Sequence, residues 1–374
     1  MSEQLLDSQR QEKAREYARI RHRLFFIDLA LGAVFLLVLL FSGLSSGLRN
    51  LLDFPQSARV ALYFLTVVIS YGVTSAPLDF YGGFILPHRY GMSSQSLKSW
   101  LADQAKGLIL ALALGTGLVV IVYLFLQEFP QTWWLLAFAI AVFVSVVLTN
   151  LAPVLILPLF FKTKPLDDSE LRQRLLSLAE RAQTKVRGIF EIKFSSKTSA
   201  GNAMLMGWGN TRRIIISDTM LQRYSPEEIE VVMAHELGHH RHGDVIRLIV
   251  VQSVLILLGF YLVNLVLNRA VPWLNFGGIS DIAALPLLAL VLAAFTVVLS
   301  PLGNAYNRHL EEAADRYSLA TTKNPDAFET MLTRLTDQNL SESKPSRWVE
   351  FLFYDHPPYY KRVELANLYR KEGK

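Results

Sequence analysis

Six apolar stretches constrain this chain more than any other feature. They run from Leu24 to Leu44, Val60 to Asp79, Gly107 to Leu126, Trp133 to Phe161, Leu248 to Leu267 and Ile282 to Gly303. At about 1.5 Å per helical residue, each can cross a hydrocarbon core of about 30 Å, where a helix satisfies its own backbone groups. With 52% of its 374 residues hydrophobic and only 18% charged, the chain is leaner in charge than a soluble domain. The expected fold is therefore mainly α, a polytopic membrane helical bundle. The fourth stretch contains Pro153 and Pro158, so its last turns are expected to kink or to leave the bilayer. The first is too long for the apolar core of a signal peptide and no small-residue cleavage site follows it, so it is expected to be retained.

Loop charge predicts orientation. Arg10, Lys13, Arg15, Arg19, Arg21 and Arg23 precede the first stretch, Arg89, Lys98 and Lys106 follow the second, and the segment after the fourth is basic. The other three loops hold only Arg49, Arg59 and Arg269. Because basic loops resist translocation, both termini and the two polar segments are expected in the cytoplasm, at the inner or plasma membrane if the source is bacterial. The chain divides into a four-helix membrane part at 1–161, a polar segment at 162–247, two more helices at 248–303 and a polar segment at 304–374. No repeat or flexible linker separates the polar segments, so they are expected to fold together as one α+β domain.

There is no cysteine, which excludes disulfides, thiolate metal sites and cysteine nucleophiles and leaves His, Asp and Glu as metal ligands. The net charge of +5 is too small to suggest a nucleic-acid partner. Within the polar segments, Asp168 to Ala182 reads as an amphipathic helix capped by Asp168. Phe190 to Phe194 and Arg213 to Ser217 read as strands, with a loop over Ser195 to Gly209 that includes a short edge strand near Asn202 to Leu205. The clearest helix start is Ser225-Pro226, with Glu228 completing a capping box.

That helix contains His235-Glu236-Leu237-Gly238-His239. Four residues are just over one helical turn, so both imidazoles share a face and can hold one zinc ion, while Glu236 is placed to take a proton from water. A chance match to this pattern is expected in roughly one chain of this length in a hundred, so a third ligand is required. After the sixth stretch, Glu311 and Asp315 lie a turn apart on a predicted helix, one able to ligate and the other to orient a histidine. By spacing alone His309 and Glu312 compete with them. His240 and His242 fall off the shared face and are expected to be solvated. Asp244 is placed either to support a ligand histidine or to cap the turn at Gly243, and Asp28 is an ionisable residue inside the first stretch.

These residues resemble the type I CAAX prenyl proteases and, more distantly, the HtpX-type membrane proteases. Asn304, Arg308, Glu311, Ala314 and Asp315 fit the family's N-x-x-S-R-x-x-E-x-x-A-D block, with Asn307 in place of Ser, and that fit selects Glu311 as third ligand and Asp315 as its neighbour supporting a histidine. His356-Pro357-Pro358 with Arg362 is similar to the family's H-P-P block near the metal. Asn202-Ala203 resembles the Asn-Ala edge strand that holds the peptide. His88 to Ser96 and Pro158 to Leu166 resemble the family's early loop and its link into the catalytic domain. The resemblance implies a gluzincin-like zinc metallopeptidase domain with one zinc ion per chain. Family members from eukaryotes have seven spans against the six counted here, so the helical chamber is expected to be smaller or to close differently.

The implied reaction is peptide hydrolysis with zinc on His235, His239 and Glu311, Glu236 as general base, and His356 or Arg362 opposing the developing negative charge. Asn202 and Ala203 are expected to bind substrate through the main chain. The expected partners are the bilayer and a peptide or protein that is prenylated or membrane-associated. Two alternatives are an HtpX-like quality-control protease and a membrane transporter or scaffold with an incidental histidine pair.

Overall fold

The computed structural model describes residues 6–207 and 212–373. The membrane half comprises α1 (Ser8–Phe41), the short α2 (Leu44–Leu51), α3 (Gln56–Phe80), α4 (Leu86–Arg89), α5 (Leu97–Glu128), α6 (Trp133–Leu151) and α7 (Leu157–Phe160). Two long helices, α11 (Asp244–Trp273) and α12 (Leu285–Thr322), return through the same layer. Among the described residues six helices are long and apolar enough to span a membrane, matching the six stretches. The fourth does not break. Five residues, Ala152–Ile156, form a π turn that carries α6 into α7, as expected where a proline removes a backbone donor.

The six spanning helices form a closed ring, with neighbours in the order α1, α3, α5, α6, α11, α12 and back to α1. Burial within the ring is one-sided. Leu40, Tyr63, Tyr123, Trp133, Val263 and Leu285 belong to one apolar cluster at the end of the ring away from the polar segments. Toward the other end the helices bury little; Asp28 on α1 is exposed there and accepts a hydrogen bond from Tyr71 of α3 at 3.0 Å. The ring is thus a cup, plugged by packed aromatic and aliphatic side chains at the far end and open toward the polar domain.

The polar domain is α+β. Strands β1 (Thr163–Pro165), β2 (Gly188–Ile192), β3 (Ala203–Met206) and β4 (Arg213–Ser217) form one sheet in the order β1-β2-β4-β3. β2 runs parallel to β4, and β3 pairs antiparallel to β4 as an edge strand. Two strands differ from expectation. β2 begins at Gly188, with Phe194 already in a 3-10 turn, and β1 is a three-residue edge containing Pro165, which periodicity cannot signal. The expected loop over 195–209 runs past residue 207, outside the described residues.

Around the sheet lie α8 (Ser169–Arg181), α9 (Asp218–Leu221), α10 (Pro226–His242), α13 (Pro325–Gln338), α14 (Arg347–Phe353) and α15 (Tyr359–Lys371). One core joins Leu171, Leu175 and Leu178 of α8, Ile214 and Ile216 of β4, Met233 of α10 and Phe328 of α13. Each such fully buried aliphatic side chain contributes roughly 1.5–3 kcal/mol. Residues on both sides of the α11–α12 excursion therefore share one core. α10 starts as expected, with Ser225 and Glu228 in a capping box, and ends at Gly243, whose φ of 69° suits a residue without Cβ.

Candidate active site

α10 and α12 cross closely, and the glycine within the His-Glu-Leu-Gly-His run permits it: a Cβ on Gly238 would lie 3.2 Å from the Ala314 Cα and 3.1 Å from the Tyr317 ring. This approach brings His235 and His239 of α10 against Glu311 and Asp315 of α12. His235 Nε2 lies 3.2 Å from Glu311 Oε2, His239 Nε2 lies 3.2 Å from Glu311 Oε1, and the two Nε2 atoms are 3.2 Å apart. One donor atom from each of the three residues lies within 4.8 Å of the others. Glu312, by contrast, faces outward and pairs with Arg316.

The far side of each imidazole meets a carboxylate. His235 Nδ1 is 2.8 Å from Asp315 Oδ1, and His239 Nδ1 is 3.0 Å from Asp244 Oδ2. Both carboxylates are nearly fully buried, at 1% and 2% exposure. A carboxylate accepts only, so each Nδ1 carries the proton and each neutral ring turns a bare Nε2 lone pair inward. Two lone pairs and a carboxylate then face one another with no proton to share, and Glu311 Oε2 is buried without a hydrogen-bond partner. Such a set is satisfied only by a cation, and two imidazoles with one carboxylate suit zinc. With no metal, a proton must substitute: burial lowers the His235 pKa, but Asp315 and Glu311 outweigh it and raise it to about 10.

Arg362 of α15 lines the cleft beside this set and turns to Asp315. Its Nε donates to Asp315 Oδ2 at 2.8 Å and a terminal nitrogen donates to Oδ1 at 2.6 Å, so the guanidinium fork is committed to the carboxylate that holds His235. His356 is exposed on the open side, with Nε2 3.3 Å from Glu311 Oε1 and Nδ1 2.8 Å from Asp355.

Glu236 points the other way along α10, toward the edge strand. The Leu205 amide, on the unpaired edge of β3, donates to Glu236 Oε2 at 3.5 Å. A cleft of about 830 Å³ runs past Glu236, Asn202, Ala203 and His356 to α1, where Tyr17 and Phe25 close it. Sequence reasoning missed how the cleft wall is held. Asn339, just past α13, accepts from the Gly201 amide at 3.1 Å and donates to the Gly201 carbonyl at 3.3 Å. Gln338 donates to the Ser199 carbonyl at 2.7 Å. From α1, the buried Gln11 accepts from the Ser343 amide at 3.0 Å and donates to Asp337 at 3.1 Å. No local pattern marks these residues, because every contact crosses more than a hundred positions of sequence. His240 and His242 lie outside the converging set.

Known proteins share both halves. The family described as Peptidase family M48 matches residues 165–368, and the CAAX prenyl protease N-terminal domain, described with five membrane helices, matches residues 2–162. Among the described residues of that second stretch, four helices are long and apolar enough to span. The chain is 30% identical to the uncharacterized metalloprotease YhfN of Bacillus subtilis (strain 168), over 94% of this chain and 84% of that one. It is 28% identical to a CAAX prenyl protease 1 homolog of Arabidopsis thaliana, over 84% and 75%. The crystal structure of S. mikatae Ste24p has the same fold, with a TM-score of 0.88 at 22% identity over 97% of this chain and 90% of that one. The two family models together cover residues 2–162 and 165–368, so the chain belongs to peptidase family M48 as an integral-membrane metalloprotease.

Proposed function

We propose that this protein is a zinc endopeptidase whose metal is held by His235, His239 and Glu311. One observation carries this reading: His235 Nε2, His239 Nε2 and the Glu311 carboxylate meet at 3.2 Å while each Nδ1 faces its own buried carboxylate. Zinc there would polarise the scissile carbonyl and bring the pKa of water toward neutrality. Glu236 takes the proton from the attacking water and passes it to the leaving amine. His356, on the open side, donates to the oxyanion, a role worth on the order of 3 kcal/mol for one well-placed donor. Asp315, with Arg362 behind it, fixes the tautomer of His235.

The substrate lies extended along β3, next to Asn202 and Ala203, and is held by main-chain hydrogen bonds, so side-chain tolerance is broad. The M48 membership favours a peptidase over a transporter or scaffold. The loop charges support a cytoplasmic site assembled from residues 162–247 and 304–374, with both termini on that side. Among substrates, the CAAX prenyl protease relatives favour a prenylated peptide, and backbone-only recognition favours unmodified membrane proteins as a second class.

The test is Glu236→Gln with farnesylated and plain peptides side by side. The variant should retain stoichiometric zinc and lose roughly 10²–10⁴-fold in kcat. Retained activity would remove Glu236 from its role, and absence of zinc from the wild type would remove the site.

A further inference from the structure

We propose that α14 lies on the bilayer surface as an interfacial anchor, with Trp348, Phe351 and Leu352 seated in the lipid headgroup and upper acyl region. α14 is outside the six spans, yet Trp348 is 75% exposed, Phe351 36% and Leu352 38%. Its opposite face is tied to the protein: the buried Glu350 carboxylate pairs with Lys361 and Arg308.

Two independent contacts fix the height of α14. Asn304, the first residue past the sixth stretch, donates from Nδ2 to the Leu352 carbonyl at 2.9 Å. Phe353 stacks on His22 at 4.2 Å and packs edge-on against Phe25 and Phe26 at 5.4 and 5.9 Å, where the first stretch begins. α1 and α12 adjoin in the ring, so both place α14 at the level where they leave the hydrocarbon on the side of the site. Phe353 and its partners His22 and Phe25 line the cleft, whereas Trp348, Phe351 and Leu352 are not among its lining residues, so the exposed face of α14 turns away from the cleft.

Composition agrees with that level. The exposed Lys344 and Arg347 precede Trp348, a pairing that suits the boundary between acyl chains and anionic headgroups. Trp273, 73% exposed at the far end of α11, occupies the corresponding level on the opposite surface. His356 follows α14 after two intervening residues, with its Nε2 3.3 Å from Glu311. Seating α14 on lipid therefore sets the active cleft at headgroup depth, where a chain emerging from the bilayer presents its first extended residues. The anchor rests on the membrane embedding alone and is read without any peptidase assay.

Because the chain has no cysteine, one introduced thiol carries a fluorophore without competition. Trp348→Cys and, separately, Leu352→Cys would be labelled with bimane in the full chain, reconstituted into phosphatidylcholine–phosphatidylglycerol vesicles. Glu180→Cys on the exposed face of α8 serves as the aqueous reference. The expected result is strong quenching at 348 and 352 by a lipid bearing a nitroxide near its headgroup, with iodide quenching several-fold weaker than at 180. Iodide quenching equal to the reference at both positions, with no effect of the nitroxide lipid, would place α14 in water and overturn the anchor. The Leu352 variant retains Trp348, so a helix lifted off merely by loss of the indole is distinguished from one that never touched lipid.

Discussion

The Nδ1 of His239 meets the Asp244 carboxylate at 3.0 Å across the turn where α10 ends and the membrane helix α11 begins. The other oxygen of Asp244 accepts from Arg247 at 3.3 Å. The buried carboxylate is therefore committed to the imidazole, so the orientation of a proposed ligand is fixed by the first residue of a spanning helix. Asp244→Ala should weaken zinc binding by about 10–100-fold, as loss of a histidine's supporting carboxylate does elsewhere. Competition with a chromogenic chelator measures this directly; unchanged affinity would assign Asp244 to the turn alone.

Removing the metal should cost stability and take up protons. At a zinc concentration about 1,000 times its dissociation constant, the bound ion contributes about 4 kcal/mol that chelation removes and zinc restores. As the cation leaves, the raised pKa of His235, about 10, means that the ring takes up a proton at neutral pH. The sign is fixed: metal release is accompanied by proton uptake, and metal binding weakens as pH falls. Calorimetric titration in buffers of different ionisation enthalpy reads the proton number, and zero uptake would contradict the electrostatics of the site.

Local features carried much of this into the sequence. The α10 start is written in Ser225, Pro226 and Glu228, and the shared face of His235 and His239 follows from helical spacing alone. The six spans follow from hydropathy. Glu311 could not be separated from Glu312 by spacing; it was singled out by its place in a longer block, and the close approach of α10 to α12 now gives the physical reason. What stayed hidden is non-local. Hydropathy shows six helices but not that they close into a ring plugged at one end. Arg362 is legible as a charge near the site, but its fork on Asp315 is not.

Gly238→Ala tests whether the approach of α10 to α12 assembles the site. The added methyl would lie 3.2 Å from the backbone Cα of Ala314, which has little room to yield, beside a Tyr317 ring that can move. Overpacking of this kind costs roughly 1–3 kcal/mol and should spread the two helices. A lowered melting temperature together with weaker zinc binding is expected. A variant as stable as wild type, with full zinc affinity, would show that the contact has slack.

The last prediction concerns the wall of the cleft. Asn339 reads both backbone groups of Gly201, and Gln338 Oε1 crowds the same residue, 3.0 Å from where a Cβ on Gly201 would lie. Two residues on, the chain becomes β3, whose free edge faces Glu236. Loosening Gly201 should therefore disorder the proposed substrate strand without touching Glu236 or the histidines. Each lost hydrogen bond is worth about 0.5–1.5 kcal/mol, so losing both in Asn339→Ala should raise KM roughly 5- to 150-fold. Because the reacting groups are untouched, kcat and zinc content should hold. Asn339→Asp keeps the acceptor for the Gly201 amide but loses the donor to its carbonyl, and should fall between the two. A drop in kcat at constant KM in both variants would mean that Asn339 supports the chemistry and not the strand, and the assignment of β3 as the substrate edge would lose its main mechanical support.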